Sequence, residues 1–250
     1  MAKALLQVWT PWRNQLISQL DFYFEQANER LIAQFGDIEG EAETHGEETY
    51  RRLETTLDPE HYDQADAADM AQDQSIERYE MLSDMRRDVH LSVAAGLYHQ
   101  WEKELRDWLS RELARSFEME YLEPKIWSAL MSEILDLLGN WGWDARALPQ
   151  HNKIEACRLV VNVYKHGKGK ALDALQSGFP EYLRESDDDE IWSKYADHTS
   201  LSVTADQLGE FHAAFTQFWQ EIPENIFWDG SFEVPDWFEK AAKKANTKQQ

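Results

Sequence analysis

One run of residues constrains the fold before anything else is considered. From Leu91 through Ala94, Tyr98, Trp101, Leu105, Leu109 and Leu113, apolar side chains return every third or fourth position, a rhythm of about six helical turns. No proline interrupts the run, and no glycine follows Gly96 within it. Only an amphipathic helix shows such a stripe to one side, and a stripe this aromatic must be covered by other elements.

The remainder of the chain supplies helices to cover it. Leu16, Ile17, Leu20, Phe24, Ala27, Leu31 and Phe35 keep the same spacing after Pro11 and stop at Gly36. The central run extends from about Met85 to Phe117, and further helices are predicted from Pro124 to Leu138, from Gln150 to Lys165, over 169–176, and from Thr204 to Gln220. Residues 185–204 read as loop around the acidic run Asp187 to Glu190, with a short strand at Leu201 to Val203. An aromatic loop from Ile226 to Phe232, a short helix after Pro235 and a frayed basic tail (Lys240, Lys243, Lys244, Lys248) complete the chain. The class is all-α, a helical bundle in a single domain over 1–250. Its parts are a core over about 88–176, an acidic insertion over 37–84 and a C-terminal helical region over 204–245.

Charge narrows the function. The chain has 47 acids against 25 lysines and arginines, a formal net charge of −22. That surface repels phosphate backbones at long range and excludes broad, sequence-independent binding of duplex DNA. Residues 37–84 concentrate the excess, with 16 acids against Arg51, Arg52 and Arg78. Apolar residues are few there, so the segment is a solvated helical arm, a mobile insertion, or both. Such an arm suits docking on a basic protein partner, and it also serves plain solubility.

Cys157 is the one cysteine, which excludes an internal disulfide and a cysteine-cage zinc site. His61 among Asp58, Glu60 and Asp63 looks like a metal cluster, but such neighbours arise by chance in so acidic a stretch, and no metal or cofactor is expected. Gly167-Lys168-Gly169-Lys170 follows a helix, whereas a phosphate-binding P-loop follows a strand. No apolar run approaches the ~20 residues of a membrane span, and the first residues lack a signal peptide's apolar core. The expectation is a cytoplasmic protein.

The helix ending at His166 carries the chemical signal. At 100° per residue from Ile154, Lys165, Arg158, Asn162, Glu155 and His166 fall at about 20°, 40°, 80°, 100° and 120°, between two apolar sectors. Groups of this kind are costly to bury unpaired, so a stripe this narrow lines a cleft or a subunit interface. A purely structural use is also available. Arg158 then pairs with Glu102 or Glu155, and His166 lies at the helix C-terminus where a cation meets the dipole, with Gly167 as the expected C′ residue.

An all-helical chain with Arg158, Asn162 and His166 on one late helix ending Lys165-His166-Gly167 resembles the HEPN superfamily of helical-bundle proteins. Many of its members are metal-independent endoribonucleases of toxin–antitoxin, CRISPR and antiphage systems, with an arginine four to six residues before a histidine and two such motifs facing across a homodimer. The likeness covers about residues 88–176. This sequence departs from the pattern in having seven residues between Arg158 and His166 and Leu159 after the arginine, while Asn162 supplies the polar position. The resemblance implies His166 as general acid or base, Arg158 as the stabiliser of phosphate charge and Asn162 as an orienting group. Lys165, Lys168 and Lys170 would bind the RNA, and no metal would be needed.

Overall fold

A computed structural model describes residues 4–58, 60–184, 196–229 and 233–247. The fold is all-α, with one two-stranded sheet. Helix α1 spans Thr10–Arg30, α2 Ile38–Thr56, α3 Gln64–Leu113, α4 Met119–Ser128, α5 Met131–Asn140, α6 His151–His166, α7 Lys170–Gly178, α8 Ala205–Glu221 and α9 Asp236–Thr247. Strands β1 (Ala4–Gln7) and β2 (Asn225–Trp228) pair antiparallel, Ala4 opposite Trp228 and Leu6 opposite Ile226.

The predicted central helix is the second half of α3, a single helix of 50 residues. That half is the pillar of a bundle with α1, α6 and α8, and its tryptophans hold the centre. Trp101 stacks on Phe215 and meets Phe218 edge-on, both at 5.1 Å, and Trp108 packs edge-on against Trp219 at 6.4 Å. Each aromatic pair adds about 0.5–1.5 kcal/mol beyond its buried area.

The first half of α3 leaves this core and forms the acidic arm with α2. Its seam is built from small residues: Ala42, Gly46 and Thr49 of α2 lie against Ala67 and Ala71 of α3, and Ser75 donates to the Ala42 carbonyl at 3.0 Å. A Cβ on Gly46 would stand 2.9 Å from that of Ser75, so the two backbones approach closely. Asp63 opens α3 with a capping box and Asp37 caps α2, which places carboxylates at both helix N-termini where the dipole favours them.

The structure departs from the sequence reading in a few elements. The predicted helix from Pro124 to Leu138 is two helices, α4 and α5, with Ala129 and Leu130 extended between them. Arg106, buried on α3, donates to the Ile126 and Ala129 carbonyls and holds the break open. The first helix ends at Arg30 and continues as a 3-10 turn over Ile32–Phe35. Residues 226–228 of the predicted aromatic loop are strand β2, while 230–232 lie outside the described residues. Of the predicted strand at Leu201 to Val203 there is a single bridge, Leu201 to Leu183; the run Asp187 to Glu190 lies outside the described residues. Lys240, Lys243 and Lys244 of the predicted frayed tail are part of α9, and Lys248 lies outside the described residues. Among the described residues no helix is long and apolar enough to cross a membrane.

One close approach ties α1 to α3. A Cβ built on Gly96 lands on the Tyr23 hydroxyl. Glycine to alanine in a helix normally gains about 0.8–1 kcal/mol in propensity. Gly96→Ala is expected instead to destabilise by about 1–3 kcal/mol through overpacking. Urea denaturation of Gly96→Ala, Tyr23→Ala and the double variant checks this: the clash requires a favourable coupling between the two changes.

Candidate functional site

Helix α6 is walled in on most sides. Ile154, Ala156, Cys157, Leu159, Val160, Val161 and Val163 are buried, and α3 runs antiparallel beside it. The Cys157 thiol lies 3.8 Å from the Ala94 carbonyl oxygen, and the Ser92 and Tyr164 hydroxyls share a hydrogen bond at 3.1 Å. Burial pushes the Cys157 thiol well up, so it is a packed small hydrophobe rather than a nucleophile. What remains open is one edge: Glu155, Arg158 and Asn162 half-buried, Lys165 and His166 exposed.

Arg158 is held by Glu155 in a bidentate pair, Nε to Oε2 at 2.8 Å and Nη2 to Oε1 at 2.6 Å. Hydrogen bonding to Glu155 raises the guanidinium pKa further against the cost of burial. Glu102, the other candidate partner, is taken by Arg106 at 2.8 Å. Beside Arg158 stands Tyr98, whose hydroxyl is driven far up, by burial first and by the Glu102 charge second. The pair uses Nε and one terminal nitrogen, so Nη1 keeps both its donors for another acceptor.

His166 ends the helix. Gly167 follows at φ 72°, a conformation that favours glycine, and donates its N–H to the Val163 carbonyl at 2.8 Å. Gly169, at φ 150°, then opens α7. Lys165, Lys168 and Lys170 are exposed and, among the described residues, form no ion pair. Between Glu155 and Asp173 the chain contains no acid. Locally, the most acidic of chains presents a cationic corner.

The structure places the predicted residues on one edge without bringing them to one point. Eight residues of helix separate Arg158 from His166, a rise of about 12 Å, with Asn162 halfway. Within one chain they do not converge on a single phosphate.

The neighbours of His166 include a turn that the sequence reading passed over. The 3-10 turn His198–Ser200 packs on the end of α6, and the His198 Nδ1 lies 3.8 Å from where a Gly167 Cβ would be. Asp197 opens that turn, and hydrogen bonds from the Thr199 hydroxyl and amide hold its carboxyl below the usual range, with smaller help from the His198 and Lys168 charges. A lone histidine in a short polar loop carries no periodic signal, so only the fold reveals its position.

Among the described residues no group of three or more His, Cys, Asp or Glu side chains is placed to hold a metal. His61 pairs with Asp58 at 3.3 Å on the surface. No family model, no curated protein and no solved structure matches this chain.

At the other end of α6, half-buried His151 has its pKa lowered, chiefly by burial and also by Arg146, against opposing pulls from Glu155 and Asp144. A lowered folded pKa means that the unfolded chain takes up the proton first. Its stabilising share is therefore complete above the ordinary imidazole range and is lost as pH falls through the lower folded value. His151→Asn is expected to flatten the dependence of urea midpoint on pH between about 7 and 5. An unchanged slope would assign that dependence to other groups.

Proposed function

We propose that this chain is a metal-independent endoribonuclease of the HEPN kind, acting in the cytoplasm as a homodimer in a toxin–antitoxin or antiphage system. The observation that carries the reading is the cationic corner at the end of α6. Exposed Lys165, His166, Lys168 and Lys170 stand free of ion pairs among the described residues, on a protein of charge −22. Unneutralised cations around an imidazole suit a phosphodiester whose 2′-hydroxyl loses a proton to His166. Chemistry at a 2′-hydroxyl cuts RNA and spares DNA.

The spacing of the stripe supports a homodimer. If two copies pack their α6 edges antiparallel about a two-fold axis through Asn162, each Arg158 lies opposite the other copy's His166, because Asn162 is midway between them. The wider interval then suits an arginine supplied in trans, and the free Nη1 of Arg158 is the donor that would meet the phosphate. An isologous interface of this type is the commonest route to a symmetric dimer.

The test is cleavage of labelled RNA and matched DNA in EDTA. The expected result is cutting of RNA alone, reduced about 10²–10⁴-fold in His166→Ala and strongly in Arg158→Ala. Mixing the two inactive variants in equal amounts, with subunit exchange, restores about a quarter of the activity when arginine and histidine come from different copies, and restores none when they come from one. Activity unchanged by His166→Ala would end the assignment.

A second reading has its own observation. The acidic arm buries mostly small residues and leaves several large ones outside: Met70, Met81 and Met85 are 43%, 54% and 58% exposed, and on a helix they fall within about 60° of one another. Flexible methionines flanked by carboxylates fit a basic, amphipathic protein partner. A synthetic helical Lys–Leu peptide serves as probe. Met70→Ser with Met81→Ser is expected to weaken its binding at least about tenfold at physiological salt, since each buried methionine contributes about 1.5–3 kcal/mol. Attraction through charge alone would leave the affinity unchanged.

A further inference from the structure

We infer that His198 is a second catalytic histidine of the α6 site, the general acid that protonates the leaving 5′-oxygen while His166 takes the proton from the 2′-hydroxyl. The inference rests on the ribonuclease reading and adds to it a residue outside the helix and outside the resemblance. Two proton transfers are needed to cut a phosphodiester without metal. The 2′-oxygen forms a bond to phosphorus as its proton passes to His166, and the bond from phosphorus to the 5′-oxygen breaks as that oxygen receives the His198 proton. The products are a 2′,3′-cyclic phosphate and a 5′-hydroxyl, and solvent returns each imidazole to its starting form.

The placement of His198 meets the demand. Its ring stands against Gly167, the residue immediately after His166, with Nδ1 3.8 Å from where a Gly167 Cβ would be. Both imidazoles are exposed, and neither makes a hydrogen bond to another described residue. The turn is firmly seated. Asp197 accepts from the Thr199 amide at 2.8 Å, Arg184 donates to the Ser200 carbonyl at 2.8 Å, and Ser202 donates to the Tyr182 carbonyl at 2.9 Å. Buried His90 on α3 donates from Nδ1 to the Val203 carbonyl at 2.7 Å. A loop pinned from two sides holds its side chains as a helix does.

The charges beside the two rings differ. His166 follows Lys165 and precedes Lys168, and no acid lies near it in sequence. His198 follows Asp197, a carboxylate kept ionised by its own hydrogen bonds. Exposed Lys168, close enough to act on Asp197, supplies a cation for the phosphate at the same corner.

A sulfur leaving group separates this role from a structural one. A 5′-thiolate leaves without protonation, so a linkage carrying sulfur at the bridging 5′ position needs the base and not the acid. Wild type, His166→Ala and His198→Ala are compared on ordinary RNA and on the 5′-thio linkage. The expected result for His198→Ala is a loss of about 10²–10⁴-fold on RNA with near wild-type cutting of the thio linkage, whereas His166→Ala loses both. An equal loss on both linkages would make His198 a merely structural residue and overturn the inference. Wild-type rates on both would overturn it too, while leaving the ribonuclease reading intact. Failure of wild type to cut either linkage would end both.

Discussion

Everything in this fold is referred to one helix that is core along half its length and arm along the other. The C-terminal half of α3 buries Leu97, Trp101, Leu105, Trp108, Leu109 and Leu113, and it also supplies the polar groups that fix its neighbours. Trp108 Nε1 donates to the Gln7 carbonyl at 2.9 Å, and the buried Glu112 carboxylate accepts the Gln7 N–H at 3.0 Å while pairing with Arg115 at 2.8 Å. Together they satisfy backbone groups of β1 that its single partner strand leaves free. Arg106 does the same for the carbonyls at the end of α4. Removing one member of such a buried set costs about 3–5 kcal/mol, because the others are left charged or unpaired without water. The pillar therefore specifies where its neighbours begin and end as well as burying their apolar faces.

The narrowness of the α6 edge follows from that packing. With α3 on one side, and α7, α8 and the 198–200 turn on others, the last two turns of α6 are open chiefly along the arc from Lys165 to His166. From Glu155 onward the charged residues of α6 and Asn162 are thereby confined to one line, and a line of side chains has a polarity along the axis. At its first end Arg158 is neutralised by Glu155; at its last end nothing neutralises Lys165 and His166 among the described residues. Charge accumulates where the helix stops, and the helix dipole favours cations at that same end. The 198–200 turn then adds the second imidazole.

Much of this was legible in the sequence because periodicity reports burial. The 3-4 rhythm of Leu91 to Leu113 located the pillar, and that of Leu208, Phe211, Phe215 and Trp219 located α8. The acid-rich, apolar-poor composition of 37–84 marked an arm; that it would be a hairpin was hidden, because a seam of alanine, glycine and serine leaves no hydrophobic stripe. Strands β1 and β2 escaped notice since four residues are too few to show alternation against a helical background. The break at Ala129 was unreadable for a different reason: its cause, Arg106, lies on another element. For the site, helical spacing put Arg158, Asn162 and His166 on one edge and left the choice between Glu102 and Glu155 open. His198 is far from them in the chain and belongs to no pattern, so only the tertiary contact with Gly167 connects it to His166.

The antiparallel match of α3 with α6 decides how charge is disposed around the corner. Ser92 faces Tyr164, so the end of α6 lies level with the point where α3 leaves the core and becomes the arm. Asp84, at the root of the arm, pairs with Arg184 at 3.2 Å beside the turn that carries His198. Repulsion of a polyanion by the acidic arm therefore acts close to the cationic corner. At physiological ionic strength that repulsion is screened within about 8 Å, while contacts at the corner act at hydrogen-bond distance and are screened far less. Two ranges of the same force thus act in opposite senses. On the ribonuclease proposal, long-range repulsion would limit encounter with bulk duplex, and short-range attraction would retain a strand already at the corner. On the same proposal, a single-stranded loop would present fewer phosphates to the arm for the same contact at the site, and the arm would act as a filter on substrate shape.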